Sequence, residues 1–201
     1  MVWKHENKLI FIHIPKCGGT SIEVALDTQY EINGYGIKDQ KAIQHYEWKD
    51  YKNKLGSNIF NNYYKFAICR HPYTKIISDY FWLKYTVHFQ HDKFQEKTFD
   101  QYLNYCEYIV KNKLYNLTKI HDHFKPQYTY VFNENNKLMV NELFRFEAFI
   151  YIKEFMKNKF NVNVNHLNKK SIKKEIKLTP IQKNKIYEIY KKDFTLLEYK
   201  R

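Results

Sequence analysis

Lys16, Cys17, Gly18, Gly19, Thr20 and Ser21 fall inside one stretch, IFIHIPKCGGTSIE, and residues of these types in this order make a place for an anion. The first amides of a helix have no partner within it, and the helix dipole adds positive potential there. Gly18 and Gly19 let the backbone come close to a ligand, Thr20 and Ser21 add hydroxyl donors, and Lys16 adds a mobile charge. The spelling argues against one familiar design. A triphosphate-binding loop, G-x-x-x-x-G-K-[ST], carries its lysine after the glycines. Here Lys16 precedes them, and no apolar strand ends in a magnesium-binding aspartate. A second anion-binding group is Arg70, which closes the run YYKFAICR and can present a planar fork of donors to phosphate oxygens.

The elements that must position these residues alternate. LIFIHI reads as a buried strand feeding the helix TSIEVALDTQY, and YYKFAICR as a second strand feeding HPYTKIISDYFWLKY, with Pro72 in the first helical turn. TFDQYLNYCEYIVKN is a helix with Phe99, Leu103, Cys106, Ile109 and Val110 on one face. YTYVFNENNKLMVNELFRFEAF reads as a strand, an Asn-rich turn and a short return strand. IYIKEFMKNKF is helical, and LTPIQKNKIYEIYKKDF is one final helix opened by Thr179 as cap and Pro180 at its first position. The pattern predicts an α/β fold: a single P-loop-like domain over residues 1–201, its central parallel sheet flanked by helices. Ligands of such sheets sit at the carboxyl ends of the strands, where both the glycine turn and Arg70 fall.

Composition narrows the partners. The formal charge of +13 is nearly all lysine, the arginines being Arg70, Arg145 and Arg201. Abundant Lys, Asn, Ile and Tyr are what an AT-rich coding sequence produces, so the charge is not read as a specific nucleic-acid footprint. Cys17, Cys69 and Cys106 have unrelated spacings and form neither a zinc pair nor a disulfide framework. No run approaches the roughly 18 apolar residues of a membrane span. The first strand begins almost at Met1 with no leader or anchor before it, so the expected location is cytoplasmic, or host cytoplasm for a viral protein.

HIPKCGGTSIE resembles the 5′-phosphosulfate loop of sulfotransferases that use 3′-phosphoadenosine-5′-phosphosulfate (PAPS), and CRHPYTKIISDYF resembles their 3′-phosphate motif, an arginine followed eight residues on by a serine, here Arg70 and Ser78. HFKPQYTYVFNENNKLMVNELFRFEAF and the tail HLNKKS…IYEIYKKDFTLLEY are similar to the carbohydrate-acting branch that includes heparan 2-O- and chondroitin sulfotransferases. The resemblance implies that Lys16 and the turn from Cys17 to Ser21 hold the 5′-phosphosulfate, that Arg70 and Ser78 hold the 3′-phosphate, and that Ser171 closes over the nucleotide. Geometry agrees: Ser78 lies roughly 9 Å beyond Pro72 along a helix, so the pair suits a ligand with phosphate at both ends. Lys16 also suits the leaving phosphate, where negative charge grows.

The base must be found among nine histidines. His13 is expected to be a packed core residue, and His71 to cap the helix that follows it. HFQH and HDH lack a set of further ligands, so no metal is expected. The resemblance favours a histidine between the glycine-loop helix and the arginine strand, and His45 is the one histidine between Gly18 and Arg70, with Glu47 a nearby substitute. A neutral imidazole suits a general base for a sugar hydroxyl. His121, His123 and Gln127 in HDHFKPQ resemble the family's acceptor-side segment. The expected activity is transfer of a sulfuryl group from PAPS to a hydroxyl acceptor, a glycan, leaving 3′,5′-phosphoadenosine (PAP) and requiring no metal. Two rivals stand beside it: a nucleotide kinase, which predicts magnesium dependence and ATP binding, and a basic polyanion-binding module, which predicts steep salt dependence and no special role for Arg70.

Overall fold

The computed structural model describes residues 3–28, 43–85, 94–115, 121–165 and 175–201. Strands β1 (Trp3–Lys4), β2 (Leu9–Ile12), β3 (Tyr64–Cys69) and β4 (Glu142–Arg145) form one sheet in chain order. β1 is antiparallel to β2; β2, β3 and β4 are parallel. All of β2 is buried, as is β3 after Tyr64, because both faces of the sheet are covered. Lys65 is the polar exception within β3. Its ammonium accounts for itself by donating to the carbonyls of Phe60 and Tyr63, at 2.8 and 2.6 Å. Edge strand β4 is half exposed.

The helices are α1 (Gly19–Ala25), α2 (Trp48–Asn62), α3 (Pro72–Tyr85), α4 (Phe99–Lys111), α5 (Tyr128–Val131), α6 (Phe149–Phe160), α7 (Pro180–Ile189) and α8 (Lys191–Leu196). α4 starts with a reciprocal cap between Thr98 and Gln101 and buries Phe99, Tyr102, Leu103, Cys106 and Ile109, a helical stripe of three- and four-residue steps. One apolar cluster joins β2 and β3 to Ile22, Leu26, Tyr51, Phe60, Ile152 and Met156; a second joins α3, α4 and α7 through Ile76, Leu83, Tyr102, Leu103 and Ile186. The α/β architecture with a mostly parallel sheet is the one the strand–helix alternation predicts. Ile12 pairs with Ala67, so the chain leaves β2 toward the glycine turn and β3 toward Arg70 at the same carboxyl end of the sheet.

Three local expectations are corrected. The run YTYVF is no strand: Tyr128–Val131 is a helical turn, because the Asp193 carboxylate accepts the backbone N–H groups of Gln127 and Tyr128 at 2.9 and 2.8 Å and so caps a turn there. Its β-propensity survives only as an isolated bridge between Phe132 and Leu138, and ELFR joins the sheet parallel to β3 instead of returning on its predecessor. The final helix breaks at Tyr190, whose φ and ψ of −116° and 28° separate α7 from α8. α2 lacks a sequence signal for a simple reason: it is largely polar, buries only Tyr51 and Phe60, and turns at Gly56 with φ of +82°. Among the described residues no helix is long and apolar enough to cross a membrane. Ser171, His88, His91 and His166 lie outside the described residues.

Asp193 tethers α8 to the start of α5 through two backbone donors, so Asp193→Ala leaves both without an acceptor. Each orphaned buried donor costs about 1–3 kcal/mol. The expected outcome in urea unfolding is a lower midpoint with an unchanged denaturant slope, and a smaller loss for Asp193→Asn, which keeps one acceptor oxygen.

Candidate active site

After Ile12 the chain passes through buried His13, Ile14 and Pro15 and then turns, with Lys16 at φ of +66° and Gly18 at +84°. Gly18 has two reasons to lack a side chain. Its φ lies in the left-handed region, and a Cβ there would meet the Phe146 ring at 3.0 Å. For Gly19 the reason is contact alone: a Cβ would lie 2.1 Å from Cδ2 of His13. The glycine pair therefore lets two rings pack against the turn. Cys17 is buried inside it, with burial pushing its thiol pKa up, so it is a packing residue and not a nucleophile.

Arg70 reaches the turn from the end of β3. Its Nη1 donates to the Lys16 carbonyl at 3.1 Å and its Nε to Thr74 Oγ1 at 3.2 Å, while the guanidinium lies 4.4 Å above the Phe146 ring. Nη2 meets no acceptor among the described residues, so part of the fork remains for a ligand. Ser78 is half-buried on α3, next to the wholly buried Asp79. The Lys16 ammonium sits 4.8 Å over the indole of Trp82. Burial lowers its pKa to about 8, with Asp79 pulling the other way.

Behind the turn stands a row of three buried histidines. His13 and His45 have ring centroids 5.1 Å apart, and so do His45 and His123. Each ring is held at Nδ1 by its own carboxylate: His13 by Glu23 at 2.6 Å, His45 by Asp122 at 2.7 Å and His123 by Asp79 at 2.7 Å. Gln44 donates to the second oxygen of Glu23 at 2.9 Å, and Lys75 binds Asp79 at 3.0 Å. His123 stacks on Trp82 at 4.3 Å, the same indole that carries Lys16. Burial by itself would raise the carboxylate pKa values; His13 outweighs it at Glu23, His45 at Asp122, and Lys75 with His123 at Asp79, so all three stay ionised. Burial lowers the pKa of His123 against the pull of Asp79 and keeps it a neutral imidazole.

The structure thus brings Lys16, Gly18, Gly19 and Arg70 to the carboxyl end of the sheet, and His45 and His123 to one row beside it. It does not bring His121 there. That ring is buried against Tyr105 and Phe124, with Nε2 2.8 Å from the Tyr105 hydroxyl. Gln127 is wholly buried and committed inside the fold: its Oε1 accepts from the Arg70 N–H at 2.9 Å and from Cys17 Sγ at 3.3 Å, and its Nε2 donates to the Arg70 carbonyl at 2.8 Å. His71 caps α3, accepting from the Tyr73 N–H at 3.3 Å.

Residues 1–200 match the family model described as Sulfotransferase family. The chain belongs to the sulfotransferase family. No curated protein sequence matches it. For a sulfotransferase the reaction is sulfuryl transfer to an acceptor hydroxyl, and the site offers what that needs: cationic donors at the glycine turn and an oriented imidazole row nearby. Because Nδ1 of His45 faces a carboxylate, a neutral ring held this way carries its proton on Nδ1 and its lone pair on Nε2. In this sulfotransferase the histidine row is held by residues that sequence reasoning passed over: Glu23, Asp79, Asp122 and Trp82. A weak signal existed for Asp79, one residue past the expected Ser78, and for Asp122, inside HDH. Arg145 and Glu147, inside the run ELFRFEAF, hold the C-terminal tail. Arg145 donates to the Glu198 carbonyl at 3.0 Å, and Glu147 accepts from the His71 N–H at 2.8 Å and the Tyr199 hydroxyl at 2.9 Å.

Gly19→Ala drives a methyl group into the His13 ring, and overpacking of this kind costs about 1–3 kcal/mol. The expected result is that loss in urea unfolding together with a displaced His13 imidazole resonance in NMR spectra; an unchanged midpoint would contradict the close packing.

Proposed function

We propose that this sulfotransferase moves a sulfuryl group from PAPS to the hydroxyl of a carbohydrate. The observation that carries the reading is the bond from Arg70 Nη1 to the Lys16 carbonyl, which joins the end of β3 to the glycine turn beside the histidine row and supports reading the two as one anion site. The residues present fit the donor. Gly18 takes the left-handed backbone conformation that the turn needs, Lys16 contributes an ammonium, and Arg70 keeps free donor capacity. PAPS, when bound, supplies a sulfuryl group on a phosphate leaving group.

In this reading Lys16 and the amides from Cys17 to Ser21 hold the 5′ end and Arg70 with Ser78 the 3′-phosphate. His45 Nε2 takes the acceptor proton while Asp122 stabilises the imidazolium that forms. As that proton leaves, the acceptor oxygen bonds to sulfur, the bond from sulfur to the leaving phosphate breaks in line, and Lys16 neutralises the charge released. His123, beside His45 and stacked on the Trp82 indole that carries Lys16, supports the acceptor side. Gln127 acts from inside the fold as a positioning residue, and no step calls on a metal.

Calorimetry with PAP, beside ATP and AMP, tests the donor. Loss of a charged hydrogen bond is worth about 1.5–3 kcal/mol, roughly 10- to 150-fold in affinity. PAP binding that depends on the 3′-phosphate and weakens by this factor in Arg70→Ala is the expected result; a preference for ATP would overturn the donor. His45→Ala should leave PAP affinity unchanged and lower turnover by about 10²- to 10⁴-fold. The Lys16 ammonium is present below a pKa of about 8 and lost above it. PAP affinity should therefore fall as pH rises through that value, by at most about tenfold per unit, and Lys16→Arg should flatten the dependence.

A further inference from the structure

The histidine row contains an arrangement that proton transfer leaves unexplained. Asp122 is buried, and its two oxygens are treated unequally: Oδ2 pairs with His45 Nδ1, whereas Oδ1 is shut off from solvent and meets no hydrogen-bond donor among the described residues. An ionised oxygen buried without a partner is costly, and a cation is the partner that offsets the cost most fully. Two imidazoles are placed to share that cation. One ligand atom from each of His45, Asp122 and His123 lies within 4.8 Å of the others, and all three residues are buried. HDH alone could not reveal this set, because its third member, His45, stands 77 residues from Asp122.

We propose that His45, Asp122 and His123 form a binding site for a zinc-like divalent cation, and that filling it switches off His45 as a base. Two imidazole nitrogens and one carboxylate oxygen suit Zn²⁺ or Co²⁺, whereas Mg²⁺ and Ca²⁺ call for oxygen ligands. His123 has the usual support of a metal-ligating imidazole: its Nδ1 is held by Asp79, which orients the ring and leaves Nε2 as the ligand. His45 contributes Nδ1 and Asp122 its carboxylate: the cation takes the place of the proton shared between Nδ1 and Oδ2, and the unpartnered Oδ1 turns to it as well. Ligands around tetrahedral zinc stand about 3.4 Å apart at bond lengths of about 2.0–2.1 Å, so His45 Nδ1 and Asp122 Oδ2, now 2.7 Å apart, open slightly to admit the ion while His123 closes on it.

The switch follows from the tautomers of imidazole. A neutral ring carries one proton, and a metal on Nδ1 forces that proton onto Nε2. Nε2 is the atom that the proposed reaction needs as an acceptor, so metal-loaded His45 has no lone pair to offer. This consequence rests on the sulfuryl-transfer reading; the binding site itself does not.

The test uses the full chain labelled with ¹⁵N in its histidine rings, titrated with Zn²⁺ without nucleotide and followed by long-range ¹H–¹⁵N correlation spectra. One equivalent should move the ring nitrogens of His45 and His123 and leave His5, His71 and His121 in place. Asp122→Asn should weaken this binding at least tenfold, and because the wild-type spectra carry the result, a poorly folded variant would not decide it. Zn²⁺ that shifts only other histidines would overturn the site. In a transfer assay Zn²⁺ should abolish turnover, with recovery on adding EDTA and no change in PAP affinity. Zinc bound at the trio with turnover intact would overturn the switch. If PAP fails to bind with or without zinc, the donor reading falls while the spectra still decide the metal site.

Discussion

One buried carboxamide holds the site in register. Gln127 pairs with both the N–H and the carbonyl of Arg70, as a neighbouring strand would, just where β3 runs out of sheet partners. The same oxygen takes the Cys17 thiol, so the glycine turn is pinned to the end of β3 through one side chain. Its own N–H goes to Asp193, which ties the assembly to α8. A wholly buried amide is tolerable only when its donors and acceptors are met, and this one meets them by joining three segments far apart in the chain. Arg70 can then lean on the Lys16 carbonyl because both ends of that contact are already fixed.

Around this clamp the electrostatics follow a single rule: a charge taken out of water keeps an opposite or polarisable partner. Asp79 has Lys75 and His123, Glu23 has His13 and Gln44, and Lys16 lies over an indole face. Lys75 also donates to the His123 carbonyl, so α3 grips the backbone as well as the ring of the segment it faces. Such pairs add little net stability once desolvation is counted. What they supply is orientation, since a ring fixed at Nδ1 has no freedom to turn its other nitrogen away.

The parts of this design that could be read in the sequence are those written locally. A glycine pair after an apolar run, an arginine at the end of the next run and a proline opening its helix are neighbours in the chain, and their roles follow from backbone chemistry. His45 was reachable by its place between two motifs. The clamp was not, because nothing in HFKPQ says that its glutamine will meet Arg70, 57 residues earlier. The carboxylates behind the histidines were hidden for the same reason, His45 and Asp122 being brought together only by folding. α5 shows the converse failure: YTYV has the β-branched and aromatic content of a strand, and a distant carboxylate capping its start overrides that preference.

Trp82 sits where these threads meet, its ring stacked on His123 and covered by the Lys16 ammonium. Indole emission is sensitive to a neighbouring cation and to a stacked imidazole, so the ring is an optical gauge built into the fold. Trp3 and Trp48, the other tryptophans, pack instead against the cluster around the sheet. With those two replaced by phenylalanine, the remaining fluorescence would come from a single chromophore touching both the anion turn and the histidine row. Events on either side could be followed in real time without attaching a dye.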